Sequence, residues 1–213
     1  MPIRNYDSKT FVAFLDISGF KELMKQNDRA LEALNLLYQT GYNIIKNGAS
    51  IEGLFVSDCG ILFVRGTNNK YQDLQNLLNG IRDINKKMLE KEFMTMASIA
   101  YGQFKYQEKL EIKGIEKSAV YGGAYVQAFL DTEKSNPKIK AGQVRIINEN
   151  LPDEVVEAIN AQNDQTTRLL REKGKYFYYY WSVDNPEKIE DFEKKYNDSY
   201  KLVFQGCLNA LKG

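Results

Sequence analysis

The chain has 213 residues, of which 43% are hydrophobic and 27% charged, so it is long enough for one globular domain with a sizeable core. Its 29 basic and 28 acidic residues leave a formal net charge of +1, and charge therefore gives no reason to expect binding to nucleic acid or to an anionic membrane. It contains no histidine, which excludes Ser-His-Asp and Cys-His nucleophiles and histidine-bound metals.

The cysteine content and the apolar runs predict a location. Cys59 and Cys207 are too few for a disulfide framework or a zinc site and suit a reducing compartment. The N-terminal stretch MPIRNYDSKT lacks the apolar core of a secretory signal, and no apolar run reaches the roughly 20 residues that a membrane helix needs. We therefore expect a cytoplasmic protein that partners neither nucleic acid nor membrane.

The first predicted element is a buried strand that ends at a carboxylate. Residues 11–20, FVAFLDISGF, begin with an almost continuous apolar run, then Asp16, a turn at Gly19 and the start of a helix. One interpretation makes Asp16 the N-cap of that helix. The other makes it a metal ligand beside a helix start that binds anions.

A second carboxylate stands at the tip of a predicted hairpin. Residues 51–65, IEGLFVSDCGILFVR, form two apolar strands joined at residues 57–60, with Asp58 in the turn. A turn aspartate often only binds its own backbone. Asp16 and Asp58 nevertheless each end a hydrophobic strand, and paired strands would bring both to one edge of a sheet. Oxygen ligands there would favour a hard ion, Mg²⁺ or Mn²⁺.

The remaining elements follow from apolar spacing. We predict a helix over 21–47, broken near 27–28, and further helices over 71–91, 122–135, 152–160 and 186–211. Strands are expected over 93–106, 143–148 and 176–181, and 107–118 is a polar loop or short hairpin. The order predicts an α+β fold, namely a ferredoxin-like β-α-β-β-α-β core with a mainly antiparallel sheet, helices on one side, and C-terminal strand and helix additions. We expect one domain over 1–213, with its core at about 8–182 and a closing helix in 183–213.

Five motifs in order carry a family resemblance. They are FLDISGF around Asp16, FVSDCGILF around Asp58, SIAYGQF at 98–104, YGGAYVQAFLDTE at 121–133 and REKGKYFYYYW at 171–181. Together they resemble the catalytic domain of class III nucleotidyl cyclases, whose core has the fold just predicted. For the 121–133 motif, a packed amphipathic helix after a glycine turn is the alternative.

The resemblance implies a set of catalytic and binding residues. It implies two divalent cations, Mg²⁺ or Mn²⁺, per site, held by Asp16, Asp58 and the backbone carbonyl of Ile17. One cation would activate the ribose 3′-hydroxyl and the other would clamp the phosphates. Triphosphate binding falls to backbone amides at Ser18, Gly19, Phe20 and Lys21 and to Lys173 or Lys175, although these two lysines could equally belong to a solvated turn. Gln127 completes the catalytic set, because it aligns with an asparagine that acts in the transition state.

Departures from the family pattern bear on substrate and rate. Leu54 and Val120 stand where purine cyclases carry a base-reading lysine and aspartate, and Asp131 stands where they carry an arginine. A pocket without the charged pair lacks the polar edge that selects adenine. The predicted base pocket comprises Leu54, Phe55, Met96, Ser98 and Val120. Asp131 cannot replace the arginine, so another cation takes its role or the rate is low.

Within this family, the chain most resembles the bacterial Pycsar cyclases, which make cyclic UMP or cyclic CMP in defence against phage. The resemblance rests on a lone catalytic domain that contains the segments FVSD and YGGAYVQAFLDTEKS. That resemblance implies a homodimer with active sites at the interface and a separate effector protein that senses the product. We expect UTP to be the preferred nucleoside triphosphate, with CTP second. One alternative is an adenylate or guanylate cyclase with an altered pocket. The other is a non-catalytic module for nucleotide binding or dimerisation, which the missing arginine favours and the retained aspartates oppose.

Overall fold

A computed structural model describes residues 4–47, 50–112, 115–200 and 211–212. The helices are α1 Phe20–Leu23, α2 Asn27–Asn47, α3 Lys70–Glu90, α4 Gly123–Lys134, α5 Asp153–Ala161, α6 Gln165–Arg168 and α7 Ile189–Tyr200, the last preceded by a 3₁₀ turn, Pro186–Lys188. The strands are β1 Tyr6–Ile17, β2 Ile51–Val56, β3 Cys59–Val64, β4 Thr95–Ile112, β5 Ile115–Tyr121, β6 Val144–Ile147, β7 Leu170–Lys173 and β8 Tyr176–Tyr179.

The strands form one sheet in the order β2-β3-β1-β4-β6-β8-β7, with β5 pairing along the outer part of β4. The β4–β6 pair is parallel, and the other pairs are antiparallel. The predicted α+β fold with a mainly antiparallel sheet is confirmed. Among the described residues, no helix is long and apolar enough to cross a membrane.

The element predictions hold best where apolar periodicity is strong. The predicted break near 27–28 is confirmed, since α1 stops at Leu23 and α2 starts at Asn27. In the polar segment predicted as a loop or short hairpin, residues 107–112 and 115–118 pair as strands of the β4–β5 ladder, while residues 113–114 lie outside the described residues. The elements α6 and β7 have only four residues each and were not predicted from the sequence. The predicted closing helix is present from Ile189 to Tyr200, while residues 201–210 lie outside the described residues, as does Cys207.

The sheet separates two groups of core side chains, and one expectation about its faces is wrong. Along β1, Phe11, Ala13 and Leu15 pack with the helices α2 and α3, whereas Val12 and Phe14 face the opposite side. Helix α4 packs on that opposite side through Ala124 and Ala128. The helices therefore do not all lie on one side of the sheet. Asp16 follows the same alternation as Phe14 and so opens onto the face that carries α4.

Candidate active site

The two predicted metal-binding aspartates meet at one end of the sheet. Asp16 is the second-last residue of β1 and is paired in register with Cys59, the first residue of β3. Asp58 lies in the two-residue turn before Cys59, and its carbonyl accepts a hydrogen bond of 3.0 Å from the Ile17 amide. Ligand atoms of Asp16, Asp58 and Cys59 all lie within 4.8 Å of one another. The strand pairing thus brings the two carboxylates together, as the sequence predicted.

The surroundings of Asp16 disfavour its negative charge. Burial raises the pKa of its carboxyl to about 6, the Cys59 thiol opposes this with a hydrogen bond, and the charges of Asp58 and Glu133 add to the rise. The thiol of Cys59 donates to Oδ1 of Asp16 at 3.4 Å. Burial, first, and then the nearby carboxylates raise the pKa of Cys59, so it remains a protonated donor at neutral pH. A divalent cation would relieve the repulsion between the carboxylates.

The segment after Asp16 was predicted to bind phosphates through backbone amides. The Ser18 amide is already used, because it donates to the Met94 carbonyl at 2.8 Å. Gly19 adopts a positive φ of 76° and turns the chain into the short helix α1. The first helical bond of that turn is Glu22 N–H to Gly19 C=O at 2.9 Å, so the amides of Phe20 and Lys21 precede it. The Ser18 hydroxyl is buried and has no hydrogen-bond partner among the described residues.

The predicted base pocket is divided between the two faces of the sheet. Leu54 is half-buried on the α4 face, but Phe55, its neighbour, points to the other face because successive strand residues alternate. The Phe55 ring packs where side chains of Gly41 and Gly60 would otherwise be, and a Cβ at Gly41 would lie 2.0 Å from its Cζ. Phe55 is therefore a core residue and not part of a surface shared with Leu54.

The other three base-pocket residues also separate. Met96 pairs with Asp16 across the β1–β4 ladder and is half-buried beside it. Ser98 is fully buried and its hydroxyl donates to Asp131. Val120 pairs with Tyr106, eight positions along β4 from Ser98. Of the five predicted base-pocket residues, only Leu54 and Met96 lie near the carboxylates on the α4 face of the sheet with side chains free to line a pocket.

Asp131 belongs to a buried network that sequence reasoning missed. Its carboxylate accepts hydrogen bonds from Arg145 Nε at 2.8 Å, Ser98 Oγ at 2.7 Å and the Tyr176 hydroxyl at 2.6 Å. Arg145 is 0% exposed and also donates to the Ser135 hydroxyl and the Pro137 carbonyl. Burial and the bond to Asp131 raise the pKa of Tyr176 to about 12, which keeps its phenol a donor. The signal in the sequence was Arg145 itself, a lone charge within an apolar strand.

The structure separates the two lysines of the KGK hairpin. Lys173 forms an ion pair with Glu193 on α7. Gly174, at φ 61°, reverses the chain, and Lys175 lies on the other side, in a cleft of about 290 Å³. The same cleft contains Gln127 of α4, so two predicted site residues far apart in sequence come together there. Lys134 also lines it and was not predicted.

The carboxylates and this cleft lie on different flanks of α4. On one flank, the Phe129 ring packs edge-on against Phe14, with centroids 5.2 Å apart, and Glu133 is close enough to Asp16 to raise its pKa. On the other flank, Gln127 and Lys134 line the cleft with Lys175. One chain therefore presents two separate groups of predicted site residues, which we call the carboxylate half and the cleft half.

Solved structures with this fold are known. The adenylyl cyclase CyaB from P. aeruginosa is 19% identical with a TM-score of 0.61, over 86% of this chain and 97% of that one. The guanylate cyclase domain of RhGC from Catenaria anguillulae, solved with GTP, is 15% identical with a TM-score of 0.58, over 83% and 97%. A guanylyl cyclase domain from Blastocladiella emersonii, solved as a non-canonical dimer, is 16% identical with a TM-score of 0.55, over 83% and 97%.

No protein-family model matches the sequence. No curated protein matches it either. The structural likeness, at under a fifth of residues identical, establishes the fold: the chain has the architecture of a class III cyclase catalytic domain.

Proposed function

We propose that the chain is a class III nucleotidyl cyclase that converts a pyrimidine nucleoside triphosphate to its 3′,5′-cyclic monophosphate and pyrophosphate. The observation that carries the proposal is the meeting of Asp16 and Asp58 at one end of the sheet in a fold shared with cyclases. In the reaction, the ribose 3′-oxygen forms a bond to the α-phosphorus, the bond from that phosphorus to the pyrophosphate oxygen breaks, and the hydroxyl proton is released.

The donor set fits hard divalent cations. Asp16, Asp58 and the Ile17 carbonyl would hold two ions, Mg²⁺ or Mn²⁺, which when bound acidify the ribose hydroxyl and neutralise phosphate charge. We propose that the amides of Gly19, Phe20 and Lys21, at the start of α1, bind the outer phosphates. The Gln127 amide and the Lys175 ammonium, in the cleft half, would orient the ribose and phosphates.

The two halves support a site shared between chains. Because they lie on different flanks of α4, a nucleotide bound at one chain's carboxylates would meet the cleft half of a partner chain. Helix α4 also exposes apolar side chains, namely Val126 at 46%, Leu130 at 42% and Phe129 at 36%. An exposed apolar surface of this kind is typical of an interface. We therefore propose a homodimer; the Blastocladiella domain has been solved both as a non-canonical dimer and as a monomer.

The pyrimidine preference rests on Leu54. An apolar residue at this position offers no hydrogen-bonding edge to a purine, and Met96 adds a second apolar side chain on the same face. We propose UTP as the best substrate and CTP as the second. By the Pycsar resemblance, the cytoplasmic enzyme would make a second messenger in anti-phage defence, and a separate effector protein would sense the product.

The test is to incubate the purified chain with each nucleoside triphosphate and Mn²⁺ and to identify products by mass spectrometry, with Asp58→Asn as the inactive control. We expect cyclic UMP to predominate. ATP turnover at least as fast as UTP turnover would establish the purine alternative. Nucleotide binding with no product from any substrate would establish the non-catalytic module. One observation favours that module: Arg145 is paired with Asp131, so it is not a free arginine.

A further inference from the structure

We infer that Lys134 contacts the substrate phosphates and supplies the cation that position 131 does not. The inference rests on the proposed function, since it assigns a phosphate-binding role to the cleft half. It starts from the cleft itself, where Lys134 lies with Gln127 and Lys175 between α4 and the β6 and β8 strands. At about 290 Å³ this cleft is smaller than a site for a whole nucleotide, as expected of a subsite for one part of it.

The charges in the cleft favour an anion. Asp131 also lines it, but its carboxylate is matched by the buried Arg145 and bonded to two hydroxyls. The charges left are Lys134, Lys175 and Glu149, two positive against one negative. Neither lysine forms an ion pair with any residue that the structure describes, whereas Lys173 is paired with Glu193. The Lys175 ammonium is 5.3 Å from the centre of the Tyr176 ring.

Helical geometry places Lys134 on the correct flank. Lys134 follows Gln127 by seven residues, which is two turns, so the two side chains project from the same side about 10 Å apart along the axis. Asp131 lies between them in sequence but turns toward the sheet, where it is buried. The flexible side chain of Lys134 is exposed and can reach a phosphate chain whose other end meets Gln127.

The direct test is a calorimetric titration of the full chain with inorganic triphosphate, with and without Mn²⁺, which involves neither base nor turnover. We expect Lys134→Ala to weaken binding about 10- to 100-fold, the usual size of a charge-assisted hydrogen bond. Lys134→Arg should stay within about 3-fold of wild type, because it keeps the charge. Lys86→Ala is the matched control, since Lys86 is an exposed lysine on α3, on the other side of the sheet, and should change nothing.

A cyclase assay on the same variants separates this inference from the proposed function. In an active enzyme, Lys134→Ala should lower kcat/KM about 10- to 100-fold while the ratio of UTP to ATP turnover stays the same. The inference would be overturned if the Lys134→Ala variant bound triphosphate and cyclised nucleotide as well as wild type does. It would also be overturned if the wild-type chain bound no triphosphate. If triphosphate binding depends on Lys134 but no nucleotide is cyclised, the proposed function fails and the phosphate site stands.

Discussion

Asp16 is partly buried beside the carboxylates of Asp58 and Glu133, and its negative charge therefore lowers the stability of the metal-free protein. Its pKa in the folded protein, about 6, exceeds the ordinary value of 3.8. The folded state therefore holds this proton more tightly than the unfolded chain does, and stability falls as the pH rises from about 4 to 6. A pKa difference of about 2 corresponds to about 3 kcal/mol, and partial exposure reduces this to about 1–2 kcal/mol.

We accordingly predict that Asp16→Asn makes the metal-free protein more stable than wild type by about 1–2 kcal/mol at pH 8, with the advantage gone below about pH 4. Urea unfolding in EDTA at the two pH values measures this. Added Mn²⁺ should reverse the order at pH 8, since it stabilises only the protein that binds it. A wild-type protein that is more stable than Asp16→Asn at pH 8 in EDTA would contradict the prediction.

Asp131 gives a prediction against the family pattern. Asp131→Arg restores the residue type found in purine cyclases, but it would place a second cation against the buried Arg145. We expect a loss of about 3–5 kcal/mol in unfolding free energy and no gain in activity. Adding Arg145→Asp, which restores opposite charges, should recover part of the stability. A fully stable and more active Asp131→Arg variant would show that Asp131 faces the substrate.

At the scale of single residues, the sequence predicted those features of the site that depend on local sequence pattern. The approach of Asp16 and Asp58 follows from two apolar strands that end at carboxylates. The sequence did not predict that the turn at Gly174 separates Lys173 from Lys175. Nor did it predict which face of β2 carries Phe55. The bonding of Asp131 involves Ser98, Arg145 and Tyr176, which come from three strands. Arg145, a lone charge in an apolar strand, indicates that a buried partner exists, but no local pattern shows which residues the partners are.

At the scale of elements, α4 is fixed at its start by a glycine. Gly122 has φ 127°, and a Cβ there would lie 2.4 Å from the Gln103 carbonyl oxygen on β4. We predict that Gly122→Ala destabilises the protein by about 1–3 kcal/mol and, by displacing α4, lowers cyclase kcat/KM.

Gly123 is the matched control for this prediction. A Cβ at Gly123 has no neighbour within 4 Å, so Gly123→Ala should be neutral or stabilise by up to about 1 kcal/mol. Chemical denaturation and the cyclase assay measure both variants. Equal stability of the two would mean that the approach of α4 to β4 is looser than the structure indicates.

Element prediction from the sequence succeeded for long periodic segments and failed for short or polar ones. Helices α2 and α3 carry regular apolar stripes, and the ladder of β1 carries continuous apolar residues. The outer parts of β4 and β5 have a largely polar sequence, so this segment was predicted as a loop or short hairpin. The position of α4 on the opposite face could not be read from its own periodicity, which shows that one side is apolar but not which side of the sheet it meets.

At the scale of the whole molecule, the two half-sites predict complementation between chains. Asp16→Asn damages only the carboxylate half and Gln127→Ala only the cleft half. Mixing the two inactive variants should restore activity, because each heterodimer has one site in which both halves are intact. Differently tagged chains confirm heterodimer formation, and UTP turnover measures recovery.

Asp16→Asn mixed with Asp58→Asn provides the control, since both changes affect the same half and every hybrid site is damaged. No recovery with Gln127→Ala, in confirmed heterodimers, would place the complete site within one chain. Recovery in the control would contradict the assignment of Asp16 and Asp58 to the same half.

In the proposed homodimer with shared sites, the two flanks of α4 also determine how mutant copies behave beside a normal gene. A chain with Asp16→Asn alone would leave one working site in every mixed dimer, so we expect the allele to be recessive. A chain with both Asp16→Asn and Gln127→Ala spoils its own carboxylates and also the cleft that the normal chain's carboxylates need. Every mixed dimer is then dead, and the double mutant acts as a dominant inhibitor of the wild-type protein although each of its changes alone is harmless to a normal partner.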